Sequence, residues 1–350
     1  MLKKILSPLA FAIFALFVLV TGCHSTPSIA KPAQADLRRY EFEEPHMGTL
    51  ISVTLFAPSA YTADGAAEAA FNTFTKLEHI MSSYDTNSEL ARLCRQPVGQ
   101  PTHVSPELFE IIKESIRVAK ETDGAFDITV GPFIKAWRNA RKTHVLPTPE
   151  QIAEMRKSIG YQKLKLDDRA QTVTLLAPNM DIDLGGIGKG FAADKALAAM
   201  KKWGVTQAIV AASGDIAIGD APPGRPGWKV GIQALDGTPS DLARTVVLHN
   251  AGVSTSGDTE QHVEIDGVRY SHIIDPKTGL GMTNHIQTTI IGPNATITDG
   301  LDTPTAIMGV KRSMKLIDSQ PKLAALIVTR DADGYHYFLS RQFKKRFGAN

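Results

Sequence analysis

Hydrophobic residues recur at helical spacing in the first half of the chain. Residues 63–82 carry apolar side chains three and four positions apart, which predicts an amphipathic helix. Ser105-Pro106 predicts the N-cap and first turn of a second helix, which Gly124 ends. Thr148-Pro-Glu-Gln151 has the pattern of a capping box and predicts the start of a third helix.

Short β-rich runs precede, separate and follow these helices. Residues 47–57 predict a strand, residues 162–177 two short strands, and residues 188–203 a helix. The later runs are separated by Gly, Asp or Pro and cover 207–212, 216–219, 228–232, 245–249, 268–274 and 286–291. Helical patterns at 299–308 and 311–319 precede a closing hairpin at 323–329 and 335–339. Helices clustered between hairpins favour an α+β fold with antiparallel sheets and packed helices.

The composition is that of an ordinary globular protein. The 350 residues are 43% hydrophobic and 21% charged, so the chain can bury a large core. The formal net charge is +2, and basic and aromatic residues are not interleaved in a stripe. We therefore predict no nucleic-acid partner.

The N-terminus has the pattern of a secretory signal. Lys3 and Lys4 precede an apolar run over 9–20, which is too short for a membrane span. Leu19-Val-Thr-Gly-Cys23 resembles the lipobox of bacterial lipoproteins, in which the cysteine is lipidated; an ordinary signal peptide cut elsewhere is the alternative. We predict a signal peptide over 1–22, a polar tether over 23–40, and a single functional domain over 41–350. The expected location is the periplasmic side of a bacterial membrane, anchored at Cys23.

A glycine-rich turn stands at the centre of the candidate chemistry. Residues 185–190 contain four glycines and open a helical pattern, and Lys189 adds a charge at the same place. Free N–H groups at a helix start suit a phosphate, and Asp181 and Asp183 could hold a cation nearby. The P-loop and Rossmann patterns do not fit, because Asp183 and Phe191 stand where each requires glycine. The alternative is an ordinary strand-to-helix turn with a solvated lysine.

Three further clusters contain side chains suited to a site. Tyr84 follows the first helix and offers a flat ring for stacking, or is simply part of a loop. His272 ends a strand just before an Asp-Pro turn, in either a catalytic or a structural role. Asp299 and Thr303 are four residues apart and would share one helical face, where they suit either Mg²⁺ or helix capping.

Eight motifs in order resemble the FAD:protein FMN transferases, the ApbE-type flavin transferase family. The motifs cover nearly all of the predicted mature chain. They are Met47-Gly-Thr49, Met81-Ser-Ser-Tyr84 with Ser88-Glu-Leu90, 124–132, Asp183-Leu-Gly-Gly-Ile-Gly-Lys-Gly190, Ser213-Gly-Asp-Ile216, Ser254-Thr-Ser-Gly-Asp258, 270–279 and Thr298-Asp-Gly-Leu-Asp-Thr303. Family members are commonly exported lipoproteins, which agrees with the lipobox.

The resemblance implies a T-fold-like ApbE architecture and a reaction. FAD would bind across a cleft, Mg²⁺ would contact its pyrophosphate, and FMN would pass to a Thr or Ser hydroxyl of a target protein as AMP leaves. The implied metal ligands are the Gly186 carbonyl, Asp299 and Thr303, and His272 is our candidate general base, a role that Asp299 could share. The implied FAD contacts are Met47, Tyr84, Ala125, Phe126, Asp127, Asp183, Lys189 and Ile273.

The resemblance also implies partners and leaves two other functions open. The usual targets carry a flavinylation motif and belong to membrane redox pumps, whereas this chain contains no complete motif of its own. An FAD pyrophosphatase that releases FMN and AMP is one alternative, and a non-enzymatic flavin-binding lipoprotein is the other. Pro304 stands where the family usually has a small helix former, so we expect a distorted helix beside Thr303.

Overall fold

The chain folds around a long antiparallel sheet. The computed structural model describes residues 36–237, 242–257 and 262–348. Its strands are β1 (Arg38–His46), β2 (Thr49–Ala57), β3 (Thr102–His103), β4 (Leu164–Asp167), β5 (Thr172–Leu175), β6 (Ala208–Ala212), β7 (Asp215–Ile218), β8 (Trp228–Gln233), β9 (Leu242–Leu248), β10 (Ala251–Gly257), β11 (His262–Ile265), β12 (Val268–Ser271), β13 (His285–Gly292), β14 (Ala324–Asp331) and β15 (Gly334–Leu339). Its α-helices are α1 (Ala60–Met81), α2 (Glu89–Cys94), α3 (Pro106–Glu121), α4 (Gly131–Thr143), α5 (Pro149–Arg156), α6 (Gly188–Met200), α7 (Ala295–Asp318) and α8 (Arg341–Phe347).

The main sheet has helices on one face and a hairpin on the other. Its strand order is β1-β2-β6-β7-β10-β13-β14-β15, and every neighbouring pair is antiparallel. Alternate side chains of a strand point to opposite faces. One set packs with α1, α6 and α7 in the largest core cluster, and the other packs with the β8–β9 hairpin and Phe343 of α8. The α+β fold with antiparallel sheets and packed helices is therefore confirmed.

The local signals in the sequence produce the predicted helix starts. Ser105 caps α3 through a hydrogen bond from the Leu108 N–H to its hydroxyl, and the capping box between Thr148 and Gln151 is complete. Such caps satisfy backbone donors that the first helical turn leaves free. Among the residues described, none of the helices combines the length and apolar character of a bilayer-spanning segment.

The structure differs from the expectations at several places, and its unpredicted elements include α2, α8, β1, β3, β10 and β11. Strand β1 begins at Arg38, so the domain takes in residues 38–40 that we had placed in the tether. Helix α4 was not predicted. The helix distortion expected at Pro304 is also wrong, because α7 continues through this residue and leaves helical geometry only at Gly309. The carbonyl of Asp302, two residues earlier, accepts hydrogen bonds from the hydroxyls of Thr288 and Thr305, which stabilise this part of the helix.

The predicted signal peptide, the first part of the tether and Cys23 lie outside the described residues, as does Asp258 of the Ser254–Asp258 motif. Those predictions remain predictions.

Candidate active site

Two adjoining cavities meet at the glycine-rich turn that leads into α6. The first, the acidic cavity, has a volume of about 480 Å³ and is lined by Asp215, Asp299 and Lys189 among others. The second, the aromatic cavity, has a volume of about 270 Å³ and is lined by Tyr84 and rings of neighbouring segments. The two cavities share lining residues, namely Gly185, Gly186, His272 and Thr303. The site therefore joins a charged chamber to a ring-lined one.

Three buried carboxylates meet in the acidic cavity. Asp215 begins β7, and Asp299 and Asp302 lie on α7; one oxygen of each lies within 4.8 Å of the others. Each side chain is at most 3% exposed. Such a cluster is costly without a cation, since like charges repel strongly where water is excluded.

The pKa values in this cluster reflect that cost. Burial and the neighbouring charge of Asp215 raise the pKa of Asp299 to about 7, and burial with the charges of Asp215 and Asp299 raises that of Asp302 well above its usual range. Lys189 contacts Asp215 directly. Burial opposes the charge on this lysine, but the carboxylates of Asp215 and Asp299 outweigh that effect and raise its pKa above the ordinary value.

A close approach of two helices places these groups together. The N–H of Gly190 donates to Asp299 at 2.8 Å and so ties the first turn of α6 to α7. A Cβ at Gly190 would lie 2.3 Å from the Ala295 carbonyl oxygen. Glycine is therefore required here because the backbones of α6 and α7 come too close for any side chain.

Asp181 and Asp183, which precede the glycine-rich turn, interact with other groups of the protein. Asp181 pairs with Lys135 at 3.0 Å. Asp183 accepts from the Ser83 hydroxyl at 2.9 Å and from the Gly185 N–H at 2.8 Å. The clustered carboxylates of the site therefore lie on α7 and β7, while Asp183 remains in the lining of the aromatic cavity.

The aromatic cavity brings together most of the residues expected to contact FAD. Tyr84, Ala125, Phe126, Asp127, Asp183 and Ile273 line it, and Lys189 lines the acidic cavity. Asp127 uses its carboxylate to hold the loop, because it accepts from Thr129 and from the Tyr161 N–H at 2.8 Å. Met47 lines neither cavity; it lies in the β1–β2 turn with φ of 51° and packs against the main core.

His272 and Thr303 lie at the junction of the cavities. His272 directly follows β12 and lines both chambers. In the turn after it, the Gly279 N–H donates to the Asp275 carbonyl and the Lys277 N–H to the Asp275 carboxylate, both at 2.8 Å. Arg156 of α5 also donates to the carbonyls of Pro276 and Lys277. Thr303 approaches Ser256 with their hydroxyls 3.4 Å apart. The predicted pairing of Asp299 and Thr303 on one helical face is seen, since both line the acidic cavity.

Sequence reasoning missed three residues of this site. Asp215 was noted only as part of a motif, Asp302 was not assigned a role, and Arg138 of α4 lies between Tyr84 and Asp183. The run Thr298–Thr303 shows two acids three apart, which would have indicated Asp302. Asp215 and Arg138 reach the site only through tertiary packing.

Comparison with known proteins identifies the family of this chain. The model of the ApbE family matches residues 47–327. The chain belongs to the ApbE family. The FAD:protein FMN transferase of Salmonella typhimurium is 32% identical over 346 residues, covering 96% of both chains, and that of Haemophilus influenzae is 32% identical over 273 residues, covering 76% of this chain and 78% of the relative.

Solved ApbE structures share the fold. The flavin transferase ApbE from Vibrio cholerae aligns with a TM-score of 0.80 at 27% identity, over 89% of this chain and all of that one. The apo form of Pseudomonas stutzeri flavinyl transferase ApbE gives a TM-score of 0.79 at 26% identity, over 90% and 98%. The ApbE architecture expected from the motifs is confirmed.

Proposed function

We propose that this ApbE-family chain is an FAD:protein FMN transferase that needs Mg²⁺. It attaches FMN to a Thr or Ser hydroxyl of a target protein and releases AMP. The observation that carries the proposal is the junction of the two cavities, where His272 and Thr303 lie between a ring-lined chamber and a buried carboxylate cluster. Relatives of this chain at 32% identity are named for the same reaction.

The residues present fit a divalent cation. One carboxylate oxygen of Asp215 is buried and has no hydrogen-bond partner among the described residues. Hard cations prefer carboxylate, hydroxyl and carbonyl oxygens, and Asp299, Thr303 and the Gly186 carbonyl offer one of each. Asp215 and Asp302 add charge around them. When bound, Mg²⁺ supplies Lewis-acid stabilisation of charge on phosphate oxygens.

The remaining steps belong to residues of the chain. The aromatic cavity binds flat rings between Tyr84 and Phe126, and Lys189 neutralises phosphate charge. His272 accepts the proton of the target hydroxyl at a ring nitrogen, while the hydroxyl oxygen forms a bond to the FMN phosphorus. The bond from that phosphorus to the AMP oxygen breaks, and AMP leaves. Asp299 is engaged by the Gly190 N–H within the carboxylate cluster, which favours His272 over Asp299 as the base.

The location and partner follow from the N-terminal pattern and the reaction. We propose that Cys23 is lipidated and holds the enzyme on the periplasmic side of a bacterial membrane. The target is then a protein with a flavinylation motif exposed in the same compartment, such as a subunit of a membrane redox pump.

One incubation tests the function. The protein is mixed with FAD, Mg²⁺ and a candidate target, and the products are separated by chromatography and mass spectrometry. FMN covalently bound to the target, with one AMP released per FMN bound, supports the transferase. Free FMN in place of bound FMN indicates a pyrophosphatase, and intact FAD indicates a binding protein; either result contradicts the proposal.

A further inference from the structure

The end of the main sheet opposite the cavities is where the N-terminal segment enters the fold. Arg38, at the start of β1, pairs with Ala57 at the end of β2, and Leu55 of β2 pairs with Ala208 at the start of β6. The other end of β6, Ala212, leads into the residues that line the acidic cavity. The entry point and the candidate active site therefore lie at opposite ends of the same strands.

Two exposed aromatic side chains stand together at the entry end. Tyr61 in the first turn of α1 is 79% exposed, and Trp203, just after α6, is 38% exposed. Their ring centroids are 6.0 Å apart with the planes at 69°. A Cβ at Gly65 would lie 2.3 Å from the Trp203 ring, so the indole is seated directly on the α1 backbone. The sequence thus keeps a large ring in a fixed place on the surface.

Exposed cations accompany these rings. Arg38, Lys201 and Lys202 are exposed, and none of them forms an ion pair with another described residue. The acids near these residues in the sequence are Asp36, Asp64 and Glu68, which are exposed, and Asp220, whose carboxylate accepts from the Asn250 amide at 2.9 Å. We call Arg38, Tyr61, Lys201, Lys202 and Trp203 the Trp203 patch.

The chemistry of this patch matches a lipid surface. Tyr and Trp have an apolar ring with a polar tip and concentrate at the boundary between headgroups and acyl chains. Clustered Lys and Arg side chains are attracted to anionic headgroups. A lipid anchor holds the chain at the bilayer but does not decide which face of the domain meets it, and basic and aromatic side chains on one face can do so.

The segment between Cys23 and the domain is short enough to hold the domain close to a membrane. Residues 23–35 separate the proposed lipidation site from the described domain, and thirteen residues span at most about 45 Å even when fully extended. The connection enters the domain beside the patch, since Arg38 is a member of it. A bilayer holding Cys23 is therefore closer along the chain to this end of the sheet than to the cavities.

We propose that the Trp203 patch rests on an anionic phospholipid surface, with Trp203 and Tyr61 in the headgroup region and the cations against the lipid phosphates. The inference goes beyond the transfer reaction. It draws on the lipid anchor, which is itself proposed, for the presence of the bilayer, and on the exposed rings and cations for the face that meets it.

Tryptophan fluorescence gives a direct test. Of the three tryptophans, Trp137 and Trp228 are buried at 4% and 8% exposure, so Trp203 is the one that a surface quencher reaches. The full mature protein is mixed with vesicles of phosphatidylcholine containing one-third phosphatidylglycerol and a headgroup-proximal doxyl lipid. We expect blue-shifted, quenched emission, and loss of that quenching in Trp203→Phe but not in Trp228→Phe.

Charge and folding are controlled separately. Lys201→Glu with Lys202→Glu should reduce the quenching on anionic vesicles at least severalfold and should leave FMN transfer to a soluble target unchanged. Protein that does not sediment with the anionic vesicles overturns the proposal. Sedimenting protein whose quenching is absent, or is the same in Trp203→Phe, also overturns it and indicates that the anchor acts alone or that the patch binds another protein.

Discussion

The guanidinium carbon of Arg138 lies 4.1 Å from the centroid of the Tyr84 ring. The same guanidinium approaches the Asp183 carboxylate at 3.4 Å. Tyr84 is 78% exposed, and Arg138 packs on its ring in the lining of the aromatic cavity. Arg138 thus connects two residues that the family resemblance assigns to FAD.

We expect Arg138→Gln to weaken FAD binding about two- to fivefold, which corresponds to the 0.5–1 kcal/mol of an exposed cation–π contact. The variant loses both the stacking on Tyr84 and a positive charge near an anionic ligand. Flavin fluorescence titration measures the affinity. Lys142→Gln, an exposed charge on the same helix, is the matched control. Equal affinities for the two variants and the parent would remove Arg138 from the binding site.

The carboxylate cluster should control metal binding. Asp299→Asn is expected to abolish transfer at limiting Mg²⁺ while the fold survives, because it removes a metal-binding carboxylate.

Asp215→Asn should weaken metal affinity about 10- to 100-fold, which is the usual effect of changing a residue that interacts with the metal ligands but does not bind the metal itself. The increase in melting temperature on adding Mg²⁺ should shrink accordingly, since it follows the affinity.

Asp64→Asn, an exposed acid on α1, controls for the lost charge. An Asp299→Asn variant that transfers FMN at the parent rate in limiting Mg²⁺ would show that the metal assignment is wrong.

His272→Ala should bind FAD with near-parent affinity and transfer FMN about 10²- to 10⁴-fold more slowly, because a general base acts in the chemical step. FAD titration and single-turnover transfer separate binding from chemistry. Weaker binding with unchanged turnover at saturating FAD would instead indicate a positioning role for His272.

Two glycines of the α6 start should respond oppositely to alanine. Gly190→Ala should lower the free energy of unfolding by about 1–3 kcal/mol, because its Cβ meets the Ala295 carbonyl. At Gly188 the nearest atom to a new Cβ is a Met81 methyl at 3.9 Å, an ordinary contact. Gly188→Ala should therefore be neutral or stabilising by up to about 1 kcal/mol. Urea denaturation measures both, and equal losses would contradict the packing argument.

Cys23 should carry the lipid anchor. Mass spectrometry of the membrane-extracted protein should find a diacylglyceryl adduct on Cys23, and Cys23→Ser should be found without lipid. Cys94 is half-buried, and burial raises the pKa of its thiol to about 11, so it is a poor competitor for modification. If the parent protein is found without the adduct, the prediction that Cys23 carries a lipid anchor is wrong.

The sequence predicted the fold where local chemistry determines it. Ser105 and Thr148 cap helices as expected, because a cap depends on residues three positions away. Strand β1 was missed because it lies at the sheet edge and contains five charged residues among nine, which hides its alternation of Tyr40 and Phe42. Helix α4 starts with Gly131-Pro132 and lacks a side-chain cap, so the proline of its first turn is the one start signal that its sequence offers.

The site was predictable only in part, for a related reason. Asp299 and Thr303 lie on one helix, and their spacing alone places them on one face. Asp215 joins them from a strand 84 positions earlier in the sequence, through the pairing of β7 with β10 and the packing of α7 on β10. The residues next to Asp215 in the sequence do not indicate that it lies close to Asp299, so its place in the carboxylate cluster is visible only in the folded protein.

Helix α1 separates the Trp203 patch from the mouth of the aromatic cavity. It carries Tyr61 in its first turn and ends three residues before Tyr84, and its 22 residues rise about 33 Å. With the Trp203 patch on the bilayer and α1 along the membrane normal, the mouth of the aromatic cavity would stand about 33 Å above the lipid. In that orientation, the proposed transfer would need a target whose acceptor hydroxyl lies at a similar distance from the membrane surface.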